Sequence, residues 1–97
     1  MADSAAFDLA CALLRQHTTF SEIEARGTVR LALKALGQNA KTVGKAEMMR
    51  AVGGALQGEL AARRVMDAPG VCRKLLDGLA ALDPEAQSPY EIFSRLG

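Results

Sequence analysis

"LKALGQNAKTVGKAEMM", residues 33–49, carries the reading that decides the fold. Its first residues continue an apolar helical pattern that Gly37 can close by adopting the left-handed conformation. Gly44 then serves as the cap of a new helix starting at Lys45, with Glu47 at the third position and Val43 packing on Met48 as a hydrophobic staple. A DNA-reading helix–turn–helix joins crossed helices through a turn of roughly three to four residues. If Gly37 were that turn, Gly44 would fall inside the recognition helix and weaken it. The start at Lys45 leaves a longer loop, so the stretch reads as a connector between packed helices.

Upstream of the connector, Ser4 can cap a helix over about residues 5–16, with Phe7, Ala10, Leu13 and Leu14 on one face. Arg15 and His17 suit its negative C-terminal end. "TTFSEIE", residues 18–24, offers two overlapping capping boxes, Thr19 with Glu22 and Ser21 with Glu24. They predict a second helix over about residues 20–36. On it Val29, Leu33 and Leu36 point one way and Phe20, Leu31 and Ala35 nearly the other, which predicts a central helix buried on two sides.

Downstream, Met48, Met49, Val52, Leu56 and Leu60 mark an apolar stripe over about residues 45–62. Gly53, Gly54 and Gly58 each cost about 1 kcal/mol relative to Ala in a helix interior. They predict a kink or break near residues 53–58, or a small-residue face where another helix comes close, close packing being the preferred explanation. Asp67 as cap and Pro69 in the first turn open a helix over about residues 69–82, with Val71, Cys72, Leu75, Leu76, Leu79 and Leu82 on one face. "DP" at residues 83–84 stops it. After a linker at 83–88, Ser88 and Pro89 start a short C-terminal helix over about 89–96 that carries Tyr90, Ile92, Phe93 and Leu96. No internal repeat and no alternating run suited to a strand occurs. The expected fold is a single all-α domain: a compact array of four main helices and a short fifth.

The composition agrees. The 97 residues are 49% hydrophobic and 24% charged, without Trp, so the core must be built from Leu, Ala, Val and Met, a helical palette. A chain of this length buries roughly 60 to 65% of its unfolded surface and can fold without metal or disulfide staples. Cys11 and Cys72 lie far apart, match no metal-ligand spacing and sit among apolar residues, as buried free thiols do. Asp3 and Asp8 stand where an export signal would carry positive charge, and no apolar run approaches the roughly 20 residues of a membrane span. The expected setting is a reducing cytoplasm, and the Ala-rich composition fits a bacterial one.

One short segment, "GTVRLALKALGQN" at residues 27–39, resembles the linker between paired hands of calmodulin-type EF-hand proteins. Calcium in such a hand needs six to eight oxygen ligands from alternating carboxylates and a bidentate Glu. No loop of this chain supplies them, so no calcium site follows. In size the expected bundle is similar to histidine phosphotransfer domains, but His17 is followed by "TTF" and lacks their nearby Lys-Gly pattern.

Charge is what sets residues 26–50 apart. Formal net charge is only +1, yet this segment holds Arg26, Arg30, Lys34, Lys41, Lys45 and Arg50 against Glu47 alone, between flanks that are net acidic. Arg26, Arg30 and Lys34 recur every fourth residue and form a basic stripe on one helix face, with Glu22 spaced to pair with Arg26. The bland reading is a solvated face that keeps a buried helix soluble. The functional reading is a non-enzymatic protein-interaction or regulatory module whose partner binds Arg26, Arg30, Lys34, Lys41 and Lys45, with Tyr90, Ile92 and Phe93 as a second interface that could also join two copies.

The alternative is a small nucleic-acid-binding regulator using the basic segment, whose affinity would fall steeply with salt. No aromatic residue is interleaved there to stack on bases, and no Gly-rich phosphate loop follows a strand, which ranks a protein partner first. Catalysis has little to stand on. His17 and Cys11 are about 240° apart around an ideal helix, and Glu22 and Glu24 serve better as caps than as an acid–base pair. No catalytic residue, cofactor or metal is expected.

Overall fold

Local capping chemistry starts nearly every helix where the sequence places it. The Ser4 hydroxyl accepts the Phe7 backbone N–H at 3.1 Å and opens α1, Ala5–His17. Ser21 and Glu24 close their capping box reciprocally and open α2, Glu22–Ala35. Gly44 caps α3, Lys45–Gly53, and the staple partners Val43 and Met48 are both buried. Then follow α4, Ala55–Ala62, and α5, Ala68–Ala80, the latter capped by the Asp67 carboxylate on the Gly70 N–H at 3.2 Å. These elements come from a computed structural model that describes residues 3–82. The expected linker at 83–88 and helix at 89–96, with Tyr90, Ile92 and Phe93, lie outside the described residues. Among the described residues the fold is all-helical, without strands.

The core is assembled on α1. It packs against α2 and α5, while α2 also meets α4, and α3 lies on α5. Phe7, Leu14, Val29, Leu33, Met48, Val52, Leu56, Leu60, Leu75 and Leu79 are sealed from solvent. Burying each large aliphatic or aromatic side chain contributes about 1.5–3 kcal/mol. Cys11 and Cys72 are buried free thiols. Among the described residues every buried side-chain polar atom has a hydrogen-bond partner, as with Thr28, whose hydroxyl donates to the Glu24 carbonyl at 2.6 Å. No described helix is long and apolar enough to cross a membrane.

Both early helix ends follow backbone rules. Beyond α2, Gly37 takes φ 69° while its N–H donates to the Lys34 carbonyl and that of Gln38 to the Leu33 carbonyl, a Schellman closure. The α1–α2 turn departs from the expected pair of boxes. The Thr18 hydroxyl donates to the Leu14 carbonyl at 2.6 Å and accepts the Phe20 N–H at 3.2 Å. Thr18 thereby ends α1, and the box between Thr19 and Glu22 does not form, so α2 starts at Glu22 rather than at 20.

Two expectations need correction. The glycines break the helix rather than line a close contact: Gly54 adopts φ −131° and ψ −86°, separating α3 from α4. A Cβ on Gly58 would meet nothing within 4 Å, and one on Gly54 only the Arg50 carbonyl at 3.6 Å. Close helix approach occurs instead at Gly78, where an added Cβ would run into the Leu13 side chain. The second correction concerns α2, which is buried on one side only. Ala25, Thr28, Val29, Ala32 and Leu33 face the core, whereas Leu31 is 47% exposed and Leu36 39%. The layers around α2 cover one flank, and nothing among the described residues covers the other.

Candidate functional site

The basic stripe is built on α2, and the acids of α1 reach part of it. Asp3, just before α1, is nearly buried, and its carboxylate pairs with Arg26 and with Arg30 at 3.3 Å. Arg26 also pairs with Asp8 at 3.4 Å. Both guanidiniums lie over the Phe7 ring, 5.1 and 5.3 Å from its centroid, a cation–π arrangement that fixes them further. The expected Glu22–Arg26 pair is replaced by these interhelical ones, because packing α1 on α2 brings two carboxylates closer to the charge than a neighbour one turn away.

The other candidate cations divide. Lys45 is half-buried, and its ammonium donates to the Ala80 and Leu82 carbonyls at 2.8 and 3.0 Å, closing the C-terminal end of α5. Lys34 and Lys41 are exposed. Arg30, with a side chain 54% exposed, shares a groove of about 290 Å³ with Asp3, Gln38, Asn39, Ala40 and Lys41 at the C-terminal end of α2. The Asn39 side chain shapes that loop by accepting the Lys41 N–H at 2.7 Å, and Ser4 donates to the Ala40 carbonyl at 2.9 Å, tying the start of α1 to it. The structure thus brings Arg30 and Lys41 together, leaves Lys34 on the open helix face, and engages Arg26 and Lys45 in interhelical contacts.

Comparison of the chain with family models, curated proteins and solved structures finds no match.

The open face of α2 also holds residues that the charge pattern does not reveal. Ile23 is 85% exposed, and it stands four residues before Gly27 and eight before Leu31, so the three form one ridge along the helix. A Cβ on Gly27 would meet nothing within 4 Å. Arg30 and Lys34 flank this ridge on the same side of the helix. The available signal was position: Ile23 falls off the row of Ala25, Val29 and Leu33 that makes the core face. Elsewhere chemistry is muted. Burial pushes the Cys11 thiol up to about 12 against the partial opposition of the Arg26 guanidinium, and burial also raises Cys72, so both sulfurs stay protonated and unreactive near neutrality. Among the described residues no group of three His, Cys, Asp or Glu side chains is placed to hold a metal.

Proposed function

We propose that the chain is a non-enzymatic interaction module that binds an acidic protein segment bearing apolar side chains along the open face of α2. The observation that carries this reading is the combination of Ile23 at 85% exposure and Leu31 at 47% on the side of α2 that no described element covers. A large aliphatic side chain in water forgoes the stabilisation that burial would bring, about 1.5–3 kcal/mol when complete. Gly27 lies between them and costs the helix about 1 kcal/mol relative to Ala, while no contact within the described fold requires a glycine there. Both features make physical sense if a partner helix or strand lies close over this ridge, its carboxylates meeting Arg30, Lys34 and Lys41.

Charge favours protein over nucleic acid. Arg26 and Arg30 already share the Asp3 carboxylate, so the cationic charge left to a partner is small, too little for a chain of phosphates and enough for one or two carboxylates at Lys34, Lys41 and the exposed edge of Arg30. Selection from a displayed library of random peptides tests the reading. Enriched peptides should be acidic with spaced Leu, Ile or Phe, and should lose binding to an Ile23→Glu variant. Enrichment of basic peptides, or binding that ignores that variant, would overturn it.

A further inference from the structure

At the other end of α2 lies a second concavity, with no acid in its lining. A cleft of about 330 Å³ opens between the α1–α2 turn and the loop that joins α4 to α5. His17, Thr19 and Phe20 contribute from the first side; Arg63, Arg64, Val65 and Met66 from the second. Its size falls at the lower end of small-ligand sites, and its lining divides into a cationic part and an apolar part, with Met66 89% exposed.

Arg64 is the informative residue. The end of α4 is a Schellman closure like that of α2: Arg64 N–H donates to the Ala61 carbonyl at 3.0 Å and Val65 N–H to the Leu60 carbonyl at 3.0 Å. Gly37 holds the left-handed position in α2, but in α4 that position is an arginine at φ 59°. A side chain there is strained where glycine is not. Nor is the guanidinium needed to cap the helix, since Arg63 N–H takes the Glu59 and Leu60 carbonyls and the next two N–H groups complete the closure. Arg63 is held by Glu59 at 2.6 Å, whereas Arg64 has no ion pair among the described residues. The strained position therefore delivers an uncommitted, always-charged fork of donors to the rim of a cleft with an apolar wall.

We propose that this cleft binds a small organic phosphate monoester, with Arg64 and Arg63 donating to the phosphate oxygens and Phe20, Val65 and Met66 covering the carbon portion. Guanidinium forks match phosphate geometry, the Thr19 hydroxyl and the His17 imidazole add polar groups beside them, and the apolar wall separates an ester from the free anion. The site shares no residue with the open face of α2, so either assignment stands or falls alone.

Backbone amide NMR titrations with phenyl phosphate, inorganic phosphate and potassium chloride at matched ionic strength test it. Phenyl phosphate should give saturable shifts confined to residues 17–20 and 63–66, inorganic phosphate weaker ones at the same amides, and chloride none that saturate. An Arg64→Gly variant should melt no lower than the wild type, because the strain is relieved, yet bind phenyl phosphate about tenfold more weakly, the size of a lost charged hydrogen bond. Shifts that do not saturate, that map to the Arg30–Lys41 groove, or that survive unchanged in Arg64→Gly would overturn the assignment, as would equal affinity for inorganic phosphate and its phenyl ester.

Discussion

The Asp3 carboxylate joins Arg26 across the α1–α2 interface while keeping only 8% of its side chain in water. Arg30 approaches the same oxygen, so one acid holds two guanidiniums that also rest on Phe7. Asp3→Asn should destabilise the domain by about 1–3 kcal/mol, since a partly buried charged hydrogen-bond network is worth more than an exposed pair and two cations lose their counter-charge. Urea denaturation checks it. Arg30→Glu would set a second carboxylate beside Asp3 and confound stability with binding, so Lys34→Glu, with an expected effect within about 1 kcal/mol, is the cleaner probe of the open face.

The glycines separate into kinds. Gly27→Ala and Gly58→Ala should each stabilise by about 0.5–1 kcal/mol, because both lie in helices with open space where a Cβ would go. Gly78→Leu should cost about 1–3 kcal/mol through overpacking against Leu13. Thermal melts of the three variants decide the matter; a destabilised Gly58→Ala would restore a close helix contact there.

Lys45 should behave as a structural residue. Lys45→Met removes the ammonium that closes α5 on the Ala80 and Leu82 carbonyls and should cost about 1–2 kcal/mol. Hydrogen exchange should quicken at the C-terminal turn of α5 before it does elsewhere. An unchanged melting temperature and exchange pattern would contradict the capping role.

The thiols set an alkaline limit. Burial raises the folded value of Cys11 to about 12, and Cys72 is raised in the same direction. A raised folded value means that the native state holds its proton longer than the unfolded chain does. The associated stability is complete below the unfolded value of about 8.5 and declines as pH climbs toward the folded one, by at most about 1.4 kcal/mol per pH unit for each thiol. Melting temperatures measured from neutrality to strong alkali should therefore fall less steeply for Cys11→Ala than for the wild type. Below about pH 8 the two curves should run parallel.

What could be read from the sequence, and what could not, follows the range of the interaction. Ser4, Ser21 with Glu24, Gly37, Gly44 and Asp67 act within a few residues of themselves, and each helix start or stop that they signal is found. The break at Gly54 is one of the two outcomes that the glycines allow, although close packing, the preferred one, does not occur there. Arg26 finds its acid 23 residues away and Lys45 its carbonyls 35 and 37 away, distances over which sequence spacing carries no register. Leu31 and Leu36 looked buried because helical periodicity marks apolar residues without saying which flanks receive a neighbour. Ile23 is illegible in the sequence for the converse reason: it belongs to no core row, and only the placement of the other helices shows it bare.

The central claim, that the open face of α2 meets a protein partner, is tested most directly by quantitative affinity capture from the source cell. Wild type would be compared with an Ile23→Glu/Lys34→Glu variant and with an Arg73→Glu/Lys74→Glu control on the exposed side of α5. The account predicts that at least one protein with an acidic, apolar-bearing segment is captured by the wild type and the control, and is lost with the α2 variant although that variant melts like the wild type. Capture of the same proteins in the same amounts by all three would contradict it.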